Sequence, residues 1–292
     1  MVETAAAVDS LWVNLLGAEV RFYDAKGVRT RVIEAGDGPP LILLHGLSGH
    51  AETWSKNVIP LAEHFHVYAV DQLGHGFTDK PDVRYTIGAL TQHIVDLMDT
   101  LGIRRASIAG QSLGGWVGAW LGLEQPERLQ KLVLVTGAGL QPEEADAGEL
   151  SDIMTRVKQV TQAALETPTR ESVRKRLEWL MVRPETVMDE LVEVRYRVFT
   201  DPRSVEMLPR VVVDTTTAND DYILTAERLQ RIATPTFVLW TRHNPTTPWQ
   251  TAERAAALLP NARFHILEEA AHWPQFEQPA EFNRLVTDFL RG

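Results

Sequence analysis

The sequence predicts an α/β fold: a mostly parallel central sheet flanked by helices, with a helical cap inserted between two of its strands. Three observations carry that expectation. Short apolar runs recur along the chain without alternating, which marks strands covered on both faces. Helical periodicities separate these runs, as in a sheet built from strand–helix units. One stretch, residues 141–217, contains no strand run and is dense in helix formers.

The elements follow in order. Residues 20–23 and 28–33 alternate apolar and polar, with Asp24, Lys26 and Gly27 between them. They read as an antiparallel hairpin with one wet face. Leu41-Ile42-Leu43-Leu44 runs into His45-Gly46, Val67-Tyr68-Ala69-Val70 into Asp71, and Ala106-Ser107-Ile108-Ala109 into Gly110. Leu132-Val133-Leu134-Val135 then ends at Thr136, residues 236–240 at Thr241, and residues 263–267 at Glu268. Residues 90–101, 113–123 and 252–259 have helical spacing. Within 141–217, helices are expected over 151–165, 171–181 and 185–199, with Pro142, Pro168, Pro184, Pro202 and Pro209 marking the joints. The expected organisation is a core of residues 1–140 and 218–292 and a cap of residues 141–217.

Composition narrows the function. With 292 residues, 29 Lys and Arg against 39 Asp and Glu, the net charge is −10. That argues against nucleic acid, whose binding rests on neutralising phosphates, and against an anionic membrane surface. A small anionic ligand needs only one local cation. There is no cysteine, which excludes disulfides, thiolate catalysis and cysteine metal sites. No run approaches the ~18 apolar residues of a membrane helix. Residues 1–20 carry Glu3, Asp9 and Glu19 and lack the basic start of a secretory signal. A cytoplasmic protein acting on a small molecule is expected.

The chemistry is concentrated at Gly110-Gln111-Ser112-Leu113-Gly114. This Gly-X-Ser-X-Gly lies between a strand and a helix, the context in which such a turn lifts a serine hydroxyl clear of the sheet. The helix N-terminus behind Ser112 favours a developing anion. A serine needs a base. His272, on the loop after the last strand, stands in the chain order that suits this arrangement. His45 reads as a turn-shaping residue. His64, His66, His75 and His93 fall on helix, strand-entry or loop positions without evident partners. The backbone N–H groups of Leu113 and Leu47 are the candidate oxyanion hole. No cluster has metal-ligand spacing, so neither metal nor cofactor is expected.

The third member of the expected triad is unusual. The strand over 236–240 leads into Thr241-Arg242-His243-Asn244-Pro245, and Asn244 stands where a carboxylate would orient the imidazole. An amide oxygen can accept from the ring N–H and select its tautomer, but it adds no counter-charge. Glu268, Glu269, Asp220 and Asp221 remain as alternative sources of charge.

Through His45-Gly46, Asp71-Gln72-Leu73-Gly74-His75-Gly76, Gly110-Gln111-Ser112-Leu113-Gly114-Gly115 and Ala271-His272-Trp273, the chain resembles the α/β-hydrolase superfamily over nearly its whole length. Within it, the C-terminal stretch from His272-Trp273-Pro274 and the cap stretch Asp189-Glu190-Leu191-Val192-Glu193-Val194-Arg195-Tyr196 are similar to the meta-cleavage-product hydrolases. Those enzymes split carbon–carbon bonds in ring-opened aromatic catabolites. The resemblance implies that Arg195 contacts the substrate and supports its ketonised form, and that Trp273 lines the pocket beside the base. It also places Gly46 and Gln111 at the substrate and implies a homo-oligomer. The sequence departs from that subfamily in three places. Leu47-Ser48-Gly49-His50-Ala51 replaces its glycine-rich loop, Gln111 replaces an asparagine, and Asn244 replaces the acid. Three readings stay open: a carbon–carbon hydrolase of 2-hydroxy-6-oxo-dienoate type, a carboxylesterase or lactonase, and a small-molecule binder with little turnover.

Overall fold

The computed structural model describes residues 9–141 and 147–292. Residues 1–8, with Glu3, and residues 142–146, with Pro142 and part of the expected cap, lie outside the described residues. Eight strands form one sheet: β1 (Glu19–Ala25), β2 (Val28–Ala35), β3 (Pro40–Leu44), β4 (His66–Val70), β5 (Ala106–Gln111), β6 (Leu129–Val135), β7 (Thr236–Thr241) and β8 (Ala262–Leu267). Their spatial order is β1-β2-β4-β3-β5-β6-β7-β8. The pairings β1–β2 and β2–β4 are antiparallel, and the rest are parallel. The helices are α1 (Leu11–Asn14), α2 (Val58–Ala62), α3 (Ile87–Thr100), α4 (Leu113–Glu124), α5 (Ala147–Glu166), α6 (Arg170–Glu178), α7 (Asp189–Thr200), α8 (Pro202–Thr217), α9 (Ala226–Arg231), α10 (Trp249–Leu258), α11 (Pro274–Glu277) and α12 (Pro279–Arg291). None among the described residues is long and apolar enough to cross a membrane.

The continuous apolar runs are explained by the two layers that cover the sheet. Ile42, Leu44, Ile108 and Leu134 face a core shared with α3, α4 and α10. Their neighbours Leu41, Leu43, Val133 and Val135 face a second core shared with α2 and α12. Alternate residues thus point to opposite faces, and both faces are apolar. The β1–β2 hairpin turns on Lys26 (φ 49°) and Gly27 (φ 91°), two left-handed residues as a two-residue hairpin requires.

Three expectations are corrected. The hairpin has no single wet face. β1 is exposed over most of its length, whereas β2 is buried from Thr30 to Glu34. β2 lies inside the sheet, and its polar side chains find buried partners: Arg31 with Glu52 and Asp71, and Thr30 with His93. β8, read as covered on both faces, is an edge strand and half exposed. Pro209 is not a joint but lies inside α8, which the sequence reading left without a helix of its own. Pro202, by contrast, opens α8 behind the N-cap Asp201, and Pro184 opens a short 3-10 turn.

Helices α5 to α8 lie between β6 and β7 in the chain. The chain leaves the core at Leu140 and re-enters at Leu224, and these two residues form a parallel bridge. Leu224 N–H donates to the Gly139 carbonyl at 2.8 Å, closing the entry against the exit.

Three of the four histidines without evident partners have hydrogen-bond partners, and the fourth, His64, lies edge-on to the Phe65 ring. His75 Nδ1 meets the Leu73 carbonyl at 2.9 Å, and His93 Nε2 meets Thr30 Oγ1 at 2.7 Å. His66 stacks on Tyr68, and its Nδ1 lies 2.9 Å from the Tyr68 hydroxyl. Burial pushes His45 and His75 down to about 3 and His93 to about 4. Below the ordinary value near 6.5 the unfolded chain takes up these protons and the folded chain does not. Stability therefore falls as pH drops from about 6.5 toward 4, by about 1.4 kcal/mol per pH unit for each such histidine. Urea midpoints at pH 7.5, 6 and 5 check this. A flat midpoint over that range contradicts it, and His93→Gln should flatten the slope by one proton's share.

Candidate active site

The parallel register brings the strand ends to one edge of the sheet. Leu44 lies opposite Gly110, and Gln111 opposite Val135. His45-Gly46, the Ser112 turn and Thr136 therefore emerge side by side, at the carboxyl ends where open α/β sheets bind ligands. Ser112 joins β5 to α4 with φ 53° and ψ −115°, a left-handed backbone that a side chain adopts only under constraint. Two glycines allow it. A Cβ on Gly110 would sit 2.2 Å from the Gly114 carbonyl oxygen, and one on Gly114 would sit 2.3 Å from that of Leu44. Ser112 N–H donates to the Val135 carbonyl at 2.9 Å, and its own carbonyl accepts from Ala138 at 3.0 Å. These bonds hold the strained residue in place.

His272 is buried and clamped through its backbone. Its N–H donates to the Leu180 carbonyl at 2.9 Å. Its carbonyl accepts from Gln111 Nε2 at 3.1 Å and Thr136 Oγ1 at 3.0 Å. Gln111, expected at the substrate, lines the cavity, and its amide N–H is spent on the His272 loop. Thr136, the residue at which the β6 run ends, holds the same loop.

Asn244 faces the imidazole. Its Oδ1 lies 2.9 Å from His272 Nδ1, and Thr246 Oγ1 lies 3.1 Å from the same nitrogen. The amide's orientation is set by its other contacts: Nδ2 donates to the Thr247 carbonyl at 3.0 Å, and Oδ1 accepts from Thr246 N and Oγ1. With the oxygen toward the ring, Nδ1 carries the proton, which leaves Nε2 free to accept one. Of the carboxylates held open as alternatives, Asp220 lines the cavity but is exposed, Asp221 is exposed, and among the described residues none of the four bonds to the His272 ring. Glu268 is exposed and paired with Arg242 at 2.8 Å, and Glu269 is exposed and holds Gln278 through its carbonyl. Burial, and then the Arg176 charge, push His272 down to about 3.

His45 is excluded as a base by its bonds. Nδ1 contacts the Gly46 carbonyl at 2.8 Å, and Nε2 accepts from Gln72 N–H at 3.1 Å. Gly46 must stay bare, because a Cβ there would meet Gln111 Oε1 at 2.4 Å and Ser112 Cβ at 3.1 Å. Leu47 and Leu113 both line the cavity, and among the described residues neither N–H has a protein acceptor. Behind Leu47 the loop rests on a buried charge cluster that sequence reading missed. Arg31 bridges Glu52 at 2.6 Å and Asp71 at 3.2 Å, His50 bonds Glu52 at 2.8 Å, and Asp71 accepts from Ala51 N. Burial alone would raise the Glu52 carboxyl, but His50 and Arg31 overcome that and hold it well below the usual range.

One cavity of about 440 Å³ joins these groups. Ser112, His272 and Trp273 line it from the core, and Arg195 from α7. Arg195 is 1% exposed and lies 5.0 Å over the Trp273 ring. Burial, and then the neighbouring Arg176, push its guanidinium down to about 9, so it stays charged at neutral pH. Arg176 of α6, unmarked in the sequence, lines the same cavity. Glu277 was equally unmarked. It accepts from Ala271 N at 2.8 Å and Val182 N at 2.7 Å, tying the His272 loop to the helical insert.

Residues 39–279 match the model of the alpha/beta hydrolase fold. The chain is 28% identical to 2-hydroxy-6-oxo-2,4-heptadienoate hydrolase of Pseudomonas putida, over 94% of this chain and 98% of that one. It is 30% identical to 2-hydroxy-6-oxononadienedioate/2-hydroxy-6-oxononatrienedioate hydrolase of Burkholderia vietnamiensis, over 92% and 93%. The solved 2-hydroxy-6-oxo-6-phenylhexa-2,4-dienoate hydrolase of Rhodococcus sp. strain RHA1 superposes with a TM-score of 0.80 at 26% identity, covering 94% of this chain and 100% of that one.

The neutral third residue generates a direct test. Asn244→Asp keeps the bond to His272 Nδ1 and adds a negative charge beside it. That raises the His272 pKa, so the acid limb of the rate profile moves to higher pH. The hydrolysis rate near pH 8 should rise on the order of tenfold or more, because the imidazolium formed on proton transfer gains a counter-charge. The second carboxylate oxygen would face the Thr247 carbonyl, which should cost roughly 1–3 kcal/mol of stability. An unchanged or lower rate in the folded variant removes Asn244 from this role.

Proposed function

We propose that this chain, which belongs to the α/β-hydrolase fold family and is a hydrolase, cleaves a carbon–carbon bond in a 2-hydroxy-6-oxo-dienoate, with Ser112 as nucleophile and His272 as base. One observation carries the reading beyond the relatives' activities. A buried guanidinium, Arg195, whose Nε and Nη2 have no hydrogen-bond partner among the described residues, faces the cavity that also holds Ser112 and His272. A plain ester needs no such cation. A dienol acid does, because its enolate and carboxylate charge must be held in a dry cleft.

The steps use groups already placed. Ketonisation moves the enol proton of the substrate onto carbon 5, with Arg195 steadying the negative charge in passing and His272 shuttling the proton. Ser112 Oγ then attacks the carbon 6 carbonyl and gives its proton to His272 Nε2. The oxyanion turns toward the N–H groups of Leu47 and Leu113. When the bond between carbons 5 and 6 breaks, its electron pair leaves with carbon 5 as a stabilised enolate, which takes the proton back from His272. Water, deprotonated by His272, releases the acyl group from Ser112 as a carboxylic acid. Asn244 keeps the ring in the tautomer that every step needs.

Two variants test the reading, with loss of dienoate colour followed beside release of nitrophenol from an ester. Ser112→Ala should lower turnover of both substrates by about a thousandfold or more. Retention above about a tenth removes Ser112 as nucleophile. Arg195→Ala should lower dienoate cleavage by on the order of a hundredfold and ester cleavage far less. Equal losses on both, or brisk ester turnover with no dienoate cleavage by the native enzyme, favour a carboxylesterase or lactonase instead.

A further inference from the structure

The cavity holds a second cation. Arg176 on α6 is 5% exposed, and its Nε and Nη1 are buried without a hydrogen-bond partner. Arg195 on α7 is 1% exposed, and its Nε and Nη2 are equally unpartnered. Among the described residues neither guanidinium has a carboxylate partner. The negative charge felt by Arg195 comes from Glu52, which is committed to Arg31 and His50. Asp220 lines the cavity too, but it is exposed. Burying one unpaired arginine is costly, and burying two in one cavity adds their repulsion.

Each arginine lies against its own aromatic ring or rings. Arg195 lies over Trp273 at 5.0 Å and Phe199 at 5.9 Å, on the side of the base. Arg176 lies 5.9 Å from the Trp179 ring, on a different helix. The aromatic faces hold the guanidinium planes and leave N–H groups for an acceptor, and a planar fork matches a carboxylate with two parallel bonds. A structural arginine would have found a carbonyl or carboxylate in the protein. These two have four orphaned nitrogens between them.

We propose that the substrate is a dianion with an anionic group at each end, and that Arg176 is the specificity residue that takes the second carboxylate while Arg195 takes the enol-acid end. This deepens the reading above and rests on it for where the scissile bond lies. Two carboxylates balance the two buried cations, and a monocarboxylate leaves one unpaired. Substrates with an apolar tail are therefore disfavoured, and dioic acids preferred.

Binding tests this without turnover. Calorimetry compares the saturated dicarboxylates glutarate, pimelate and azelate with monocarboxylates of the same lengths, on the native chain, Arg176→Leu and Arg176→Lys. At least one dicarboxylate should bind the native chain at least tenfold more tightly than its monocarboxylate. The ratio should fall below about two in Arg176→Leu and be partly kept in Arg176→Lys. Without ligand, Arg176→Leu should melt no lower than the native chain, since it removes an unpaired buried charge. A native ratio near one overturns the proposal, as does a tenfold ratio that survives in Arg176→Leu, or a large drop in Tm with the ratio intact. If dicarboxylates bind as stated while no dienoate is cleaved, the carbon–carbon reading falls and this proposal stands. If dienoates are cleaved without preference for a second carboxylate, the reverse holds.

Discussion

The site depends first on how closely α4 can approach the ends of β3 and β5. The chain reverses from strand to helix at Ser112 only because Gly110 and Gly114 let backbone lie against backbone. The strain of a left-handed serine, of order 1–3 kcal/mol, is borne by the sheet and the two cores on either side. What it yields is geometry. The hydroxyl stands clear of the sheet, the first N–H of α4 is unsatisfied beside it, and the His45-Gly46 turn of the neighbouring strand comes within van der Waals distance. The buried cluster of Arg31, Glu52, Asp71 and His50 anchors the far end of the loop that carries Leu47, at His50 and Ala51.

Charge in the cavity is distributed in an unusual way. The imidazole is oriented by an amide and a hydroxyl, Asn244 and Thr246, neither of which can balance a proton on the ring. Two buried arginines stand in the same cavity and make it strongly positive, against a chain whose net charge is −10. Burial first, and then the charge of Arg176, holds His272 well below the ordinary imidazole range. In the reading proposed above, negative charge arrives with the substrate. A carboxylate that pairs with Arg176 removes the repulsion that opposes protonation of His272.

Hydrogen bonds tie the helical insert to the His272 loop. Leu180 accepts the His272 N–H, and Glu277 spans from Ala271 to Val182. The arginines on α6 and α7 are thereby linked to His272 through the backbone of the insert. A shift of the insert would move His272 as well as the two guanidiniums.

Much of this was legible in the order of residues. The apolar runs, the strand–helix rhythm and the glycine-bracketed serine are local patterns, and local patterns fix backbone period and turn chemistry. His272 and Asn244 could be found because each follows a strand by a few residues. What the order of residues did not disclose was who meets whom. Arg176 sits in Arg-Glu-Ser-Val-Arg-Lys-Arg-Leu-Glu and looks like any solvated helix residue, yet it is buried. Arg31 sits on a strand whose alternation suggested a wet face. Thr136 and Gln111 reach His272 across 136 and 161 residues of chain. Burial of a charge and the partner of a hydrogen bond depend on what folds over them from distant sequence. Only the assembled sheet, with its insert in place, could decide that the amide of Asn244 faces the ring and that two guanidiniums share one cavity.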